Sequence, residues 1–235
     1  YREHFEHCGI PLTHVKVVPD LYTAQAFITT DLDDNQITAF HPGAMMRSFE
    51  NHVKDVPDVG FGIVGPDSYE AMLQNCREFS ESGIPFIFDP GQAMPLFNGD
   101  ELKQMIEQAT YVTVNDYESL LMSDKTGLST AEISSRVQGY IITRGDKGSE
   151  IHTASGMLQI PAANAIRVVD PTGCGDAYRA GLIFGLMKGM DMATAGRIAS
   201  LMGALKIEHL GPQNQRFSYA QFAMQFKQQF GYALD

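Results

Sequence analysis

The glycines and acids between Asp170 and Gly181 could bind an anion and move a proton. The stretch reads Asp-Pro-Thr-Gly-Cys-Gly-Asp-Ala-Tyr-Arg-Ala-Gly, follows a predicted strand and opens a predicted helix. Gly173 and Gly175 could turn backbone N–H groups toward an anion at the positive end of that helix. Asp176 would then hold a carboxylate beside the anion, which suits removal of a proton from an attacking hydroxyl group. Arg179 could contact the anion or pair with Asp176 across one turn. The alternative interpretation is purely structural: the glycines form turns, and the helix that follows is N-capped.

A second glycine motif directly follows a predicted strand that ends near Ile142. It reads Thr-Arg-Gly-Asp-Lys-Gly over residues 143–148. Glycines at the carboxyl end of a parallel strand let a phosphate chain approach the backbone closely. A simple β-turn explains the same residues, and the chain lacks the G-x-x-x-x-G-K-[ST] and G-x-G-x-x-G patterns of two other nucleotide-binding folds.

Asn115 and Glu118 form a third polar motif, directly after the predicted strand Tyr111–Val114. At the start of a helix this spacing puts the amide and the carboxylate on one face. Such hard oxygen ligands suit Mg²⁺ and its waters near phosphate groups. As an alternative, Asn115 is a helix N-cap and Glu118 is its capping-box partner.

Alternating strands and helices after Asp58 position these motifs. Apolar strands separated by helical segments predict a parallel sheet, because a parallel pair needs a long crossover connection. The predicted fold class is therefore α/β, a doubly wound and mostly parallel sheet with helices on both faces. The predicted strands are Val59–Gly65, Pro85–Phe88, Tyr111–Val114, Tyr140–Thr143 and one near Ile166–Val169, and a polar hairpin spans Ser149–Ile160. The predicted helices are Ser68–Ser82, Glu101–Gln108, short ones after Asn115 and Ser129, Gly175–Lys188, Ala193–His209 and Tyr219–Phe230.

The segment before this sheet has a different pattern. Short β-branched runs between Val15 and His41 alternate with turn residues, which predicts a small antiparallel β lid. The runs are Val15–Val18, Phe27–Thr30 and Ile37–Phe40, and the breaks are Pro19-Asp20 and Asp33-Asp34-Asn35. Residues 1–10 predict the last turns of a helix that ends at Gly9.

Composition argues against several classes of function. The 235 residues include 17 Lys and Arg against 28 Asp and Glu, a net charge of −11. This acidic excess argues against a nucleic-acid partner and against attachment to acidic lipid. No apolar run reaches the ~18 residues that a membrane helix needs. The three cysteines favour a reducing compartment over a disulfide framework, so we expect a cytoplasmic protein.

The string D-P-T-G-C-G-D at residues 170–176 resembles the D-T-x-G-A-G-D signature of the ribokinase-like family of sugar and nucleoside kinases. Strings similar to the family's N-x-x-E and T-x-G-x-x-G motifs occur in the right order at residues 115–118 and 143–148. The resemblance implies that Asp176 is the base on the acceptor hydroxyl group. It also implies an anion hole and ATP contacts. The anion hole would comprise Gly173, Cys174 and Gly175, and the ATP contacts Thr143, Gly145, Asp146, Gly148, Asn115 and Thr172.

The same resemblance implies two cation sites. Asn115 and Glu118 would bind Mg²⁺, partly through water, and Asp170 would belong to a site for a monovalent cation such as K⁺, closed by Gly211–Gln213. Cys174 stands where the family usually has alanine. A cysteine nucleophile is one interpretation, because a helix N-terminus can lower a thiol pKa, and packing of a small residue is the other.

Within the family the chain looks most like the bacterial adenosine kinases, because the Asp89–Gln92 string joins the motifs above. This resemblance implies that Gln92 contacts the adenine of the acceptor, and a glutamine on a surface turn is the alternative. The helix and turn from Ala199 to Gly211 would flank the base of ATP. Phe27 and Phe40 of the lid could cover the acceptor, although core packing explains them equally well.

These features lead to the hypothesis of an ATP-dependent kinase that converts adenosine to AMP in purine salvage. A sugar kinase with a ribose- or fructose-type acceptor is one alternative. We expect one kinase domain over residues 1–235, with lid strands within 13–42 and a nucleotide-binding core at 58–235, and a homodimer through the lid by family analogy. Family members have a further stretch before the point where this chain opens, including an acceptor-binding Asp. An N-terminally truncated domain is therefore expected, and a non-catalytic nucleotide-binding fragment is the other alternative.

Overall fold

The computed structural model describes residues 1–30 and 36–234, and these begin with a short helix and a β-hairpin. Helix α1 (Arg2–His7) is followed by Gly9 in the left-handed region, with φ 69°, as predicted. Strands β1 (Gln25–Thr30) and β2 (Gln36–His41) pair in antiparallel fashion, which confirms the predicted small antiparallel sheet. The predicted turn at Asp33-Asp34-Asn35 lies outside the described residues.

The valine run at residues 15–18 does not form the expected strand. Turn hydrogen bonds join Val15 N to Leu12 O (3.0 Å) and Leu21 N to Val18 O (3.2 Å). Turns at both ends leave too short a segment to pair with a neighbouring strand. Val18 is buried while Val17 is 60% exposed, so the run packs through a single side chain and not along one face.

A six-stranded sheet forms the centre of the remaining chain. Its strands lie in chain order, the first four parallel and the last two antiparallel. They are β3 (Gly62–Val64), β4 (Phe86–Phe88), β5 (Tyr111–Asn115), β6 (Gly139–Thr143), β7 (Ser149–Thr153) and β8 (Gly156–Ile160). The predicted polar hairpin is therefore the antiparallel edge of this sheet.

The helices begin close to their predicted positions because polar side chains cap them. Ser68, Asn98 and Ser129 accept hydrogen bonds from the first turns of the helices that follow them. The helices are α2 (Tyr69–Glu81), α3 (Gly99–Gln108), α4 (Asp116–Thr126), α5 (Thr130–Ser134), α6 (Cys174–Met187), α7 (Met192–Ile207) and α8 (Tyr219–Phe230). Within the described ranges, no helix has both the length and the apolar character that crossing a membrane requires. The sequence does not predict the 3₁₀ turns at Gly43–Glu50, Val53–Asp55, Gly91–Leu96 and Gly145–Lys147.

Alternate residues of the strands pack into two separate cores. Phe86 and Phe88 of β4 belong to a core that includes Met72 of α2 and Leu102 of α3. Ile87, between them, belongs to a second core with residues of α6 and α7. Because successive side chains of a strand point to opposite faces, both faces of the sheet are covered by helices. The doubly wound α/β fold is confirmed.

The segment at residues 166–169 is not the strand that its β-branched residues predict. Ile166 is 91% exposed and Val168 is 77% exposed, so neither packs in a sheet. Instead the backbone N–H groups of Val169 and Asp170 donate to the carbonyl of Ile207, at 2.8 and 3.1 Å. The end of α7, not a neighbouring strand, therefore positions the loop that leads into α6.

Helices α6 and α7 approach each other closely through small residues. A Cβ added to Gly185 would lie 2.7 Å from both Cα and Cβ of Ala195. One added to Gly181 would lie 2.8 Å from Cα of Ala199. These distances are shorter than van der Waals contact, so the two glycines set the separation of the helices.

We expect Gly185→Ala to destabilise the protein by about 1–3 kcal/mol, because the helices must separate to admit the methyl group. Gly203→Ala is the matched control, since its added Cβ would meet only the Cys174 carbonyl, at 3.7 Å. That change should raise stability by up to about 1 kcal/mol through helix propensity. Urea unfolding of the three proteins measures both effects, and equal shifts for the two variants would contradict the packing described here.

Candidate active site

Three of the parallel strands have their carboxyl ends at one edge of the sheet, and a residue of one predicted motif lies at each of these ends. Asp89 comes directly after β4, Asn115 ends β5 and Thr143 ends β6. Ligands of open α/β sheets bind outside the carboxyl ends of the strands. The topology therefore brings polar residues from distant parts of the chain to the edge where a ligand is expected.

Arg179 joins this edge to helix α6 through two carboxylates. Its Nε lies 2.7 Å from Oδ2 of Asp89, and its Nη2 donates to Oδ1 of Asp176 at 2.7 Å. The side chain of Asp89 is 4% exposed, whereas that of Asp176 is 77% exposed. A buried carboxylate needs a partner, so this ion pair holds the first turn of α6 against the end of β4. Of the two interpretations of Arg179, pairing with Asp176 is the one observed.

Burial raises the pKa of Asp89 to about 7. The Arg179 guanidinium acts in the opposite direction, whereas the negative charges of Glu118 and Asp176 add to the rise. The carboxyl groups of Glu118 and Asp176 are therefore close enough to influence Asp89, as is the Arg179 guanidinium.

The start of α6 offers backbone N–H groups to an anion. The first N–H groups of a helix have no partner within the helix, and here they belong to Cys174, Gly175 and Asp176. Cys174 N donates to the carbonyl of Pro171 at 3.1 Å, so its N–H group is engaged in the turn. In the described part of the chain no such turn bond engages Gly175 or Asp176. These two N–H groups are the ones available at the predicted anion hole.

Asp170 and Gly173 hold the loop before α6 in place. Asp170 accepts hydrogen bonds from the backbone N–H groups of Thr172 and Gly211, each at 2.8 Å. Hydrogen bonds from Thr172 and Gly211 lower the pKa of Asp170 to about 2. Gly173 has φ 83°, and an added Cβ would lie 2.9 Å from Cβ of Pro212. The loop before α6 is thus fastened to the turn after α7.

A cavity of about 530 Å³ opens beside this loop, a volume typical of small-molecule sites. The two glycine motifs meet there. Of the predicted residues, Thr143, Gly145, Asp146, Gly148, Cys174 and Gly175 line the cavity. The rest of the lining is Ala162, Ala163, Asn164, Ala165, Val168, Pro171, Tyr178, Ser200, Gly203, Ala204 and Ile207. Of the predicted stretch from Ala199 to Gly211, the helical part therefore lines the cavity.

The motif at residues 143–148 is a tight turn, as its alternative interpretation predicts. Arg144 N donates to the carbonyl of Gly148 at 2.8 Å and closes the turn. Gly148 has φ 82°, and an added Cβ would lie 2.1 Å from the Ile160 carbonyl oxygen, so only glycine fits. Because the turn lines the cavity, its role as a turn and a role in ligand binding are compatible.

Asn115 and Glu118 form a capping box, also as the alternative predicts. Glu118 N donates to Oδ1 of Asn115 at 2.7 Å, and Asn115 N donates to Oε2 of Glu118 at 2.8 Å. Across residues 1–30 and 36–234, no group of three His, Cys, Asp or Glu side chains could hold a metal ion. Mg²⁺ often takes one or two carboxylates together with phosphate oxygens and water. A single carboxylate from Glu118, whose charge acts on Asp89, therefore fits Mg²⁺ in the company of a bound nucleotide.

Other predicted residues lie outside the cavity lining. Gln92 is exposed in a 3₁₀ turn three residues after Asp89. Gly173, Asp176 and Thr172 belong to the loop and first turn described above. In the hairpin, Phe27 lies opposite Ala39 and Phe40 opposite Ala26. The two phenylalanine rings therefore project from opposite faces, and no more than one of them could cover an acceptor.

Burial raises the pKa of the Cys174 thiol, and the positive charge of Lys206 only partly offsets this. A thiol with a raised pKa is a weak nucleophile at neutral pH. The environment of Cys174 thus favours packing of a small residue over nucleophilic catalysis.

Sequence reasoning missed several residues that shape the site. Ser149 Oγ and Tyr178 Oη lie 2.7 Å apart and join β7 to α6 at the cavity. Lys206 is fully buried, and nothing in its local sequence indicates this. A helical repeat of mostly small residues could have identified the α7 lining in more detail: Ser200, Gly203, Ala204 and Ile207.

Comparison with known protein families gives a match to the model described as pfkB family carbohydrate kinase, over residues 1–217. The nucleoside kinase of Methanocaldococcus jannaschii is 30% identical over 217 residues, which cover 91% of this chain and 70% of that protein. The nucleoside kinase of Methanothermobacter thermautotrophicus is also 30% identical, over 99% of this chain and 75% of that protein.

Solved structures give a consistent result. The nucleoside kinase of Burkholderia thailandensis in complex with inosine has a TM-score of 0.97 and 55% identity, covering 100% of this chain and 77% of that chain. The ribokinase of Thermotoga maritima, with a TM-score of 0.75 and 22% identity, covers 96% of this chain and 76% of that chain and shares the fold. The chain thus spans 70% to 77% of the length of these proteins.

Because burial raises the pKa of the Asp89 carboxyl group, we expect its contribution to the unfolding free energy to fall as pH rises. Its pKa is about 7 in the folded protein and about 3.9 in an unfolded chain. The folded state therefore binds an extra proton between these pH values. Relative to Asp89→Asn, the wild type should lose about 2–3 kcal/mol of unfolding free energy between about pH 5 and pH 8. Urea unfolding of both proteins at the two pH values measures this loss.

Asp124→Asn is the control for this experiment, because Asp124 is exposed on α4. Its unfolding free energy should follow that of the wild type at both pH values. A difference between wild type and Asp89→Asn that stays constant or grows with pH would contradict the raised pKa.

Proposed function

We propose that this chain, which belongs to the pfkB family of carbohydrate kinases, uses ATP to phosphorylate the 5′-hydroxyl group of a nucleoside. Membership of the family makes it a kinase of the ribokinase type. The nucleoside acceptor is supported by two relatives that are nucleoside kinases at 30% identity and by the 55% identical nucleoside kinase in complex with inosine.

The position of Asp176 is the observation that carries the proposal. Arg179 holds this carboxylate in the first turn of α6. The available N–H groups of Gly175 and Asp176 belong to the same turn, and Gly175 lines the cavity. A base and an anion-binding helix end are therefore adjacent, as in-line transfer of a phosphoryl group to a hydroxyl group requires.

In the proposed reaction, the 5′-oxygen attacks the γ-phosphorus of ATP as the bond from that phosphorus to the β,γ-bridging oxygen breaks. The hydroxyl proton passes to the Asp176 carboxylate, and the electron pair of the broken bond leaves with ADP. Backbone N–H groups at the start of α6 stabilise the charge on the transferred phosphoryl oxygens. Arg179 fixes the orientation of the base.

We assign ATP to the cavity of about 530 Å³. Thr143, Gly145, Asp146 and Gly148 would contact the nucleotide there, and Asn115 and Thr172 would approach its phosphates from the adjacent loops. Mg²⁺, when bound with ATP, would neutralise phosphate charge. Glu118 and Asn115 would hold it, partly through water.

We place the acceptor beside Asp176 and Gln92. A glutamine amide both donates and accepts hydrogen bonds, so it can pair with a purine that has either a 6-amino or a 6-oxo group. We therefore propose adenosine and inosine as acceptors, which become AMP and IMP. A kinase with these products would serve the salvage of purine nucleosides.

The hairpin of β1 and β2 is the proposed lid over the acceptor. Phe27 and Ile37 are exposed on one face of it, and Ile28 and Phe40 are exposed on the other. One apolar face suits an acceptor and the opposite face suits a second copy of the chain, which supports a homodimer through the lid.

We predict that Asp176→Asn lowers the single-turnover rate of transfer at least ~100-fold, because the amide cannot accept the proton. ADP affinity, measured by calorimetry, should stay within about twofold of wild type, since Asp176 is outside the cavity lining. Asp124→Asn, on the exposed surface of α4, is the control and should keep full rate. A variant at position 176 that retains more than a tenth of the rate would exclude Asp176 as the base.

We predict that adenosine and inosine are phosphorylated, with kcat/KM at least ~10-fold higher than for ribose or fructose. Gln92→Ala should raise the KM for both nucleosides about 10-fold, as expected for one lost hydrogen bond, and leave the KM for ATP unchanged. Gln104→Ala, exposed on α3, is the matched control. If only sugars are phosphorylated, the protein is a sugar kinase and the nucleoside assignment is wrong. If Gln92→Ala leaves the KM for nucleosides unchanged, Gln92 is a surface-turn residue and does not contact the acceptor.

A further inference from the structure

Lys206 is a fully buried lysine in the last turn of α7. Its Nζ donates to the carbonyl oxygen of Asp170 at 2.6 Å and to that of His209 at 3.3 Å. Oδ2 of Asp170 lies 3.9 Å from the same nitrogen. Lysine is almost never fully buried unless its charge is compensated, so this arrangement indicates a specific role for the ammonium group.

The atoms around Nζ are those that would bind an alkali cation. Carbonyl oxygens bind K⁺ in proteins, and a carboxylate adds a compensating charge. The family resemblance assigns Asp170 and the Gly211–Gln213 turn to a monovalent-cation site, and His209 lies two residues before this turn. The carbonyl oxygen of Asp170 and the neighbouring carbonyl oxygen of His209 already accept from Lys206. A second cation at the same oxygens would meet the ammonium charge at close range, so the residues present do not fit an additional K⁺.

We propose that the Lys206 ammonium group takes the place of the monovalent cation at this site, so that the loop before α6 needs no K⁺ from solution. The inference rests on the proposed function only where it concerns phosphoryl transfer. The rest of the inference is that the Lys206 ammonium group holds the loop before α6 and supplies a positive charge next to it.

The contacts connect Lys206 to the anion hole. The backbone of Asp170 accepts from Lys206, while its carboxylate accepts from Thr172 N and Gly211 N. The loop then reaches α6 at Cys174, where the charge of Lys206 opposes the effect of burial on the thiol pKa. The ammonium charge is therefore felt where the phosphoryl group of the nucleotide is proposed to bind.

The test compares ADP binding and thermal unfolding in KCl and in tetramethylammonium chloride at the same ionic strength. Tetramethylammonium has the same charge as K⁺ and is too large for the site. For the wild type we expect the same Tm, and an ADP Kd that agrees within about twofold, in both salts. A Kd that weakens by about tenfold or more without K⁺ would overturn the proposal, and this comparison needs no variant.

Two variants extend the test. Lys206→Met removes the charge and keeps most of the volume, and it should weaken ADP binding by about tenfold in both salts. Lys206→Ala opens space for an ion, and its ADP affinity should recover at least about fivefold when KCl replaces tetramethylammonium chloride. Lys227→Met, an exposed lysine of α8, is the control and should match the wild type. A folded Lys206→Ala protein that binds ADP equally in both salts would contradict the equivalence of ammonium group and cation.

These readouts are separate from the proposed reaction. If no nucleoside is phosphorylated in either salt while ADP binding is independent of K⁺, the proposed function fails and the assignment of Lys206 stands. If nucleosides are phosphorylated but ADP binding by the wild type requires K⁺, the assignment of Lys206 fails and the proposed function stands.

Discussion

Arg179 bridges a buried carboxylate at the end of β4 and an exposed one in the first turn of α6. The ionised form of Asp89 needs a partner when it is buried, so the bridge connects a requirement for stability to the position of Asp176. The bridge thereby joins the sheet to helix α6. The relative position of base, helix end and strand ends therefore follows from one guanidinium and its two partners. The exposed side of Asp176 stays free to meet a substrate.

Helix α7 supplies the second half of the architecture. The small residues Ala195 and Ala199 allow α6 to approach closely. Other small residues of the helix, Ser200, Gly203 and Ala204, line the cavity beside the two glycine motifs. Its last turn then contributes Lys206, whose ammonium group holds the backbone of Asp170. One helix thus sets the distance to α6, the shape of the nucleotide cavity and the position of the loop between them. A change in its packing would be felt at all three places.

Much of this was accessible from sequence because it is local. N-caps such as Ser68 and Asn115, the apolar strands and the glycine motifs each depend on residues only a few positions apart, and the structure contains them. The ion pair of Asp89 with Arg179 joins residues far apart in the chain, so no local sequence pattern predicts it. The burial of Lys206 is likewise a tertiary effect. The segment at 166–169 shows the converse: its β-branched residues favour a strand, but no neighbouring strand pairs with them, so the loop is held by Ile207.

Arg179 positions the base, and the single-turnover rate of phosphoryl transfer to inosine by Arg179→Met tests this role most directly. We expect a loss of at least ~30-fold in this rate, partial recovery in Arg179→Lys, and an ADP Kd within about twofold of wild type for both. The partial recovery and the unchanged Kd would separate positioning of the base from general destabilisation. A folded Arg179→Met protein that transfers phosphate at the wild-type rate would contradict a positioning role for Arg179.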